Sequence, residues 1–249
     1  MNHIAISDQG SVRIIRMNRP EKKNALTAAM YDALATALEE LNTNPVLHCA
    51  VIMGVPGAFS AGNDLQDFLE ASKRDSGLGQ PILRFLYALA RCEKPLVAAV
   101  QGLAVGIGTT MLLHCDHVIA GTDTRFMTPF VNLGLVPEAG SSLLAPRVMG
   151  YHNAFALLVM GRTLDASEAK DCGLVNVVVP ADTVDSHALQ AAEQIAALPS
   201  AAVAASRRLL RGSAEEIVAQ IDKEAEQFRE RLKSPEAQGA FAAFLNRKR

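Results

Sequence analysis

The chain has 249 residues, 49% of them hydrophobic and 20% charged, and a formal net charge of −2. That apolar content supports a sizeable core and excludes global disorder, and the near-neutral charge leaves no electrostatic footprint for nucleic acid or an anionic membrane. Aromatic residues are 5% with no Trp, which excludes a stacking platform for single strands, and runs such as Pro95 to Val100 stop far short of the roughly 18 apolar residues that span a bilayer.

The pattern along the chain starts with short β-prone runs at 2–8 and 11–17 around Asp8-Gln9-Gly10, a hairpin signal. Asn18-Arg19-Pro20 ends the second run. From Thr27 to Leu41 the spacing of Met30, Leu34, Leu38 and Leu41 predicts a helix with Thr27 as N-cap. Cys49 to Met53 and Pro95 to Val100 read as buried strands, followed respectively by a loop over 54–63 and a glycine-rich turn over 102–108. A helix over 109–113 and a strand over 118–120 come next. Strand, loop and helix alternate through roughly the first 180 residues, which predicts an α/β layered fold with buried strands. After Pro180 the patterns are helical, over 182–198 and 213–233, and in the latter Ile217, Ile221, Phe228 and Leu232 form an apolar stripe. That stripe could pack on the chain's own body or on a neighbouring subunit.

Most chemical motifs fail on a missing residue. Gly106-Ile107-Gly108 starts a dinucleotide fingerprint, but its third glycine position is Met111. Phe59-Ser60-Ala61-Gly62 approaches a nucleophile elbow, but Ala58 replaces the first glycine. No phosphate loop or zinc spacing is present, and His114 and His117 read as structural residues, so no metal and no separate cofactor are expected. Cys49, Cys92, Cys115 and Cys172 form no C-x-x-C pair, and MNHIAISDQG lacks the features of a signal peptide. Buried thiols in a cytoplasmic protein are the expectation.

Three segments remain. Gly57 to Leu65 and Gly102 to Thr109 each follow a buried strand, and small residues there let a backbone approach a ligand with free amides. Two converging amides suit an oxyanion, whereas ordinary turn chemistry with Asp64 as a helix N-cap explains the same residues. In the third, Phe130 to Ser142, Glu138 is one acid in an apolar, glycine-punctuated stretch. It reads as a desolvated proton shuttle or as an acid placed at a helix N-terminus after Pro137.

Taken in order, Asn18-Arg19-Pro20 with Asn24-Ala25-Leu26, Phe59 to Leu65, Lys94 through Gly102, Gly106-Ile107-Gly108, Cys115-Asp116, Gly134 to Gly140, and Gly161-Arg162 with 166–173 resemble the enoyl-CoA hydratase/isomerase (crotonase) superfamily over nearly the whole chain. The resemblance implies an α/β fold, a crotonase-like spiral of repeated ββα units over 1–180 carrying an acyl-CoA site. It also implies a C-terminal helical region over 181–249 that assembles trimers or pairs of trimers. Coenzyme A would enter as part of the substrate. The main-chain N–H groups of Ala61 and Ile107 would hold the thioester oxygen of an enolate. The two glutamates of family hydratases are replaced by Thr110 and Phe130, and Glu138 falls where the Δ3,Δ2-enoyl-CoA isomerase branch has its single catalytic glutamate. That implies a shift of a 3-enoyl-CoA double bond to trans-2-enoyl-CoA with Glu138 as the proton shuttle. Gly62, Asn63, Asp64, Leu65 and Phe130 would line the substrate, with Ala58 at the adenine and Lys23, beside Lys22, a candidate for the phosphates. Another enolate-forming reaction (on an epoxide or ring acyl-CoA, or weak hydration) and a non-catalytic acyl-CoA-binding subunit are the alternatives.

Overall fold

The computed structural model describes residues 3–64 and 77–246. The N-terminal hairpin forms from β1 (Ile4–Gln9) and β2 (Val12–Met17), closed through Gly10 at φ 56°. Helix α1 (Ala28–Thr43) follows, and Thr27 caps it by accepting from Met30 N–H. Next come β3 (Cys49–Met53), β4 (Ala58–Ser60), α2 (Gln80–Ala90), β5 (Leu96–Val100), β6 (Leu103–Val105) and a single α-turn, α3 (Ile107–Thr110). Strands β7 (His117–Gly121) and β8 (Arg125–Met127) lead to α4 (Ser141–Leu158), which breaks direction at Gly150 with φ 74° and ψ 158°. Strand β9 (Leu164–Asp165), α5 (Ala166–Asp171) and β10 (Val177–Val179) precede four helices: α6 (Val184–Ala196), α7 (Ser200–Arg211), α8 (Ala214–Leu232) and α9 (Pro235–Asn246).

Among the described residues the strands make a six-stranded sheet, in the order β1-β2-β3-β5-β7-β10, and a four-stranded sheet, β4-β6-β8-β9. Successive units place their first strand in one sheet and their second in the other: β3 then β4, β5 then β6, β7 then β8. Every pair between these units is parallel, which is the repeated spiral implied by the resemblance. The predicted strands were continuous apolar runs because both faces of the large sheet are covered. On β3 and β5, Cys49, Val51, Met53, Val97 and Ala99 face Val184, Ala188 and Ala192 of α6. Ala50, Ile52, Leu96, Ala98 and Val100 face the main core with α1 and α2.

Two local expectations change. The loop over 54–63 contains β4 and the turn over 102–108 contains β6, because these three-residue strands are held by pairing with each other rather than by any periodicity of their own. The helix expected over 109–113 starts earlier and tightens into a 3-10 turn over Met111–His114. The apolar stripe of α8 packs on the chain's own body: Ile217, Ile221, Phe228 and Leu232 are all buried.

Candidate active site

Strands β4 and β6 deliver both glycine-containing turns to one place. Ala58 pairs with Leu103 and Ser60 with Ala104 in parallel register, so the chain leaves both strands in the same direction about 4.8 Å apart. A Cβ on Gly62 would meet Val105 O at 2.9 Å, and one on Gly108 would meet Ser60 O at 2.8 Å. Only glycine lets the turns touch this closely.

The amides of the first turn are mostly engaged. Ala61 N–H donates to Lys23 O at 2.9 Å, Gly62 N–H to Ser60 Oγ at 3.2 Å, and Asp64 N–H to Leu26 O at 2.9 Å. Leu26 N–H donates to Gly62 O at 2.8 Å, completing a parallel bridge between Leu26 and Asn63. In such a bridge the residue between the two bonds turns its own N–H and C=O to the opposite side. Among the described residues, no acceptor meets the Asn63 N–H or the Ile107 N–H. The expectation for Ala61 is therefore corrected: its amide ties the turn to Lys23, and the unengaged amide lies two residues further on. Ala58 is corrected too. It is 4% exposed, with its N–H on Val55 O and its C=O accepting from Val55 N–H and Asn24 Nδ2, so its main chain is not presented to a nucleotide.

The remaining binding candidates divide. Gly62 is the contact point between the turns. The Asn63 side chain accepts from the Tyr31 hydroxyl, and Asp64 pairs with Arg19 at 2.7 Å. That ion pair ties the turn to the Asn18-Arg19-Pro20 segment. Lys22 and Lys23 are exposed in the same segment. Phe130 is buried just before a 3-10 turn over Val131–Leu133. Leu65 lies outside the described residues.

Glu138 is 2% exposed, three residues before α4 begins, and one carboxylate oxygen accepts from Thr110 Oγ1 at 2.6 Å. Thr110 ends the same helical turn that Ile107 begins, so the carboxyl is bonded to the turn whose first amide is unengaged. Burial pushes the Glu138 carboxyl up to about 8; Thr110 works against this, and the charge of Glu224 adds to it. Tyr31, on α1, is fully buried, and its phenol is raised by desolvation and by the nearby Glu138. The helix-terminus reading of Glu138 does not describe it, because the acid that binds the start of α4 is a different one. Glu224 of α8 accepts from Gly140 N–H at 2.6 Å, from Ser142 N–H at 2.9 Å and from the Ser142 hydroxyl.

Thr110, Tyr31, Asn24 and Glu224 carried no assigned role in the sequence reading. Asn24 sits at φ 54° and donates to Ala58 O and Phe59 O, bracing β4. Glu224 had a visible signal, an acid inside the helical stripe of Ile217, Ile221 and Phe228. Tyr31 had none, since a Tyr on a buried helix face is ordinary core. His114 is structural as read: buried, it contacts Ala139 O through Nε2 at 2.7 Å and accepts from Arg211 at Nδ1 at 3.0 Å. Burial and the Arg211 charge bring it down to about 3, so it is neutral and Nε2 carries the proton. Among the described residues, no group of three or more His, Cys, Asp or Glu could hold a metal, and no helix is long and apolar enough to cross a membrane.

Two sheets in a parallel spiral bring two unengaged amides to adjacent strand ends, and one of the two turns bonds a buried acid. The family comparison is specific. Residues 7–249 match the enoyl-CoA hydratase/isomerase family, and the chain belongs to it. It is 36% identical to enoyl-CoA delta isomerase 2 of Rattus norvegicus over 98% of this chain, which spans 64% of that protein's length. It is 34% identical to 2,3-dehydroadipyl-CoA hydratase of Escherichia coli (strain K12), over 86% of this chain and 84% of that one. The crystal structure of an enoyl-CoA hydratase/isomerase from Pseudoalteromonas atlantica T6c superposes with a TM-score of 0.92 at 42% identity, covering 98% of this chain and 97% of that one. The mixed names leave the reaction to be argued from the site.

Proposed function

We propose that this chain isomerises a 3-enoyl-CoA to the trans-2-enoyl-CoA, with Glu138 as the acid–base group. The observation that carries the reading is the setting of that carboxyl: it is buried and bonded to the neutral hydroxyl of Thr110, which ends the helical turn that the unengaged Ile107 amide begins. The other nearby carboxylate, Glu224, is occupied by Gly140 and Ser142. Water addition needs one group to activate water and another to protonate carbon; a 1,3-proton shift needs one group that reaches both ends of an allyl system.

In this reading the thioester oxygen lies between the N–H groups of Asn63 and Ile107. The Glu138 carboxylate takes a proton from C2, the C2–H electrons enter conjugation, and negative charge develops on the thioester oxygen, where the two amides stabilise it. Each such donor is worth roughly 10²–10³ in rate. The neutral carboxyl then gives the same proton to C4. The carbonyl re-forms, the C3–C4 double bond is consumed and a C2–C3 double bond replaces it. A base pushed up to about 8 is better matched to a carbon acid than an ordinary carboxylate. Phe130, Leu135 and Ala139 are buried around this segment and keep water from the dienolate.

The implied trimer has a natural surface on the second half of α4 and beyond, where Tyr151, Phe155 and Met160 are exposed. Light scattering of the purified protein tests it.

For the reaction, the protein is incubated with 3-hexenoyl-CoA and the conjugated 2-enoyl thioester is followed, alongside hydration of 2-enoyl-CoA. Conversion without hydration, lost in Glu138→Gln, is expected. Hydration as the faster reaction would overturn the assignment, and turnover that persists in Glu138→Gln would remove Glu138 from it.

A further inference from the structure

Glu138 is followed by two residues in left-handed backbone, Ala139 at φ 64° and Gly140 at φ 68°. For Ala139, fully buried, that conformation is unfavourable and persists only if its surroundings impose it. The C-terminal helices do so at several points. His114, held by Arg211 of α7, bonds Ala139 O. Glu224 of α8 fills the concavity of amides formed by Gly140 and Ser142. Ile217 closes over Gly140, where a Cβ would lie 3.1 Å from its Cγ2. Upstream, Arg231 donates to Gly134 O at 3.1 Å, and a Cβ on Gly134 would meet Ala237 N at 2.7 Å.

We propose that Glu224 is the positioning residue for Glu138: its carboxylate bonds the amides of Gly140 and Ser142 and so locks the 139–142 turn that follows the acid. The inference deepens the isomerase reading and rests on it for its kinetic test. Two independent features support it beyond packing. The bonds run to main-chain amides of the turn itself, so Glu224 fixes where the Glu138 backbone ends. The two acids also feel each other: the charge of Glu224 raises Glu138, while burial raises Glu224 itself only to about 6 because its bonds to Ser142 and Gly140 work against it. Through the pH range in which Glu138 loses its proton, Glu224 is therefore charged. Among the described residues, the other groups facing Glu138 do not change charge there. Thr110 is a neutral hydroxyl, the Tyr31 phenol is raised, His114 stays neutral behind Ala139, and Arg211 lies behind His114.

The test compares Glu224→Gln, which keeps the reach and removes the charge, with Glu224→Asp, which keeps the charge and shortens the reach. In Glu224→Gln the rising limb of kcat against pH is expected to move to lower pH by about one unit, with kcat reduced and KM within twofold of wild type. In Glu224→Asp the limb is expected to stay in place while kcat falls at least fivefold. A carbon-13 titration of the Glu138 carboxyl in the full-length protein reads the same shift without any substrate. A wild-type enzyme inert on 3-enoyl-CoA would sink the isomerase reading but leave that titration decisive. If Glu224→Gln does not fold, Glu224→Asp carries the test through kcat. An unmoved Glu138 titration in Glu224→Gln, or wild-type kcat in Glu224→Asp, overturns the proposal.

Discussion

The two halves of the site are held by different parts of the molecule and by different means. The turns at 60–64 and 106–110 are positioned by strand pairing between β4 and β6 and by hydrogen bonds among main-chain groups. Among the described residues, the segment carrying Glu138 pairs with no strand. It is positioned from outside by side chains: Thr110 from the second turn, His114 behind it, and Glu224, Ile217 and Arg231 from α8. The difference teaches where each half is vulnerable. A main-chain site tolerates changes of side chain but not intrusion between its strands, whereas a side-chain site fails when a single hydrogen-bonding partner is removed.

The sharpest way to break this contrast is to remove the acid. Glu138→Gln is expected to lower isomerase kcat by at least about 10³-fold, read by 3-hexenoyl-CoA turnover. The same variant should be more stable at high pH. A carboxyl raised in the folded state keeps a proton that the unfolded chain has lost, so its contribution falls as pH rises from 4.5 to about 8. Removing it should raise stability at pH 8 by on the order of 3 kcal/mol, measured by denaturant unfolding; a loss at that pH would contradict the burial argument.

Intrusion into the main-chain half comes next. Gly108→Ala places a Cβ 2.8 Å from Ser60 O and forces the turns apart. The expected loss is about 10²-fold in kcat with little change in the Glu138 titration. Near-wild-type kcat would show that the turns need not touch.

Thr110→Val tests the side-chain half more gently. Thr110 donates to the carboxylate and lowers its pKa, so its loss should push Glu138 further above about 8 and move the rising limb of the pH profile upward. At pH 7 this costs about tenfold in rate. A limb that moves downward would mean that Thr110 does not donate to the ionised acid.

The smallest effect is expected where a side chain borders the main-chain half. Asn63→Ala keeps the amide and should leave kcat within about threefold. It strands the buried Tyr31 hydroxyl, and stability should fall by about 1–3 kcal/mol. A large loss of kcat with unchanged stability would place the Asn63 side chain, rather than its N–H, against the substrate.

Much of this architecture was legible because it depends on local patterns. Continuous apolar runs at 49–53 and 95–100 mark strands covered on both faces, and Thr27 marks the start of α1. An acid isolated among apolar residues marks Glu138 as unusual before any coordinates. The short strands β4 and β6 were not legible, since three residues carry no period and their existence depends on each other. The choice between Ala61 and Asn63 was not legible for a related reason. Both amides stand in the same small-residue turn, and only the Leu26 bridge and the Lys23 carbonyl decide which one is already bonded.

What the residue order determined alone was the set of local preferences: where the longer strands and helices form, which turns favour glycine, and that one carboxyl stands alone in an apolar stretch. What only the tertiary structure decided was which polar groups are satisfied. A hydrogen-bond partner is a matter of position in space, and here the acid that binds Gly140 and Ser142 comes from 80 or more residues away, on a helix whose own pattern speaks only of burial.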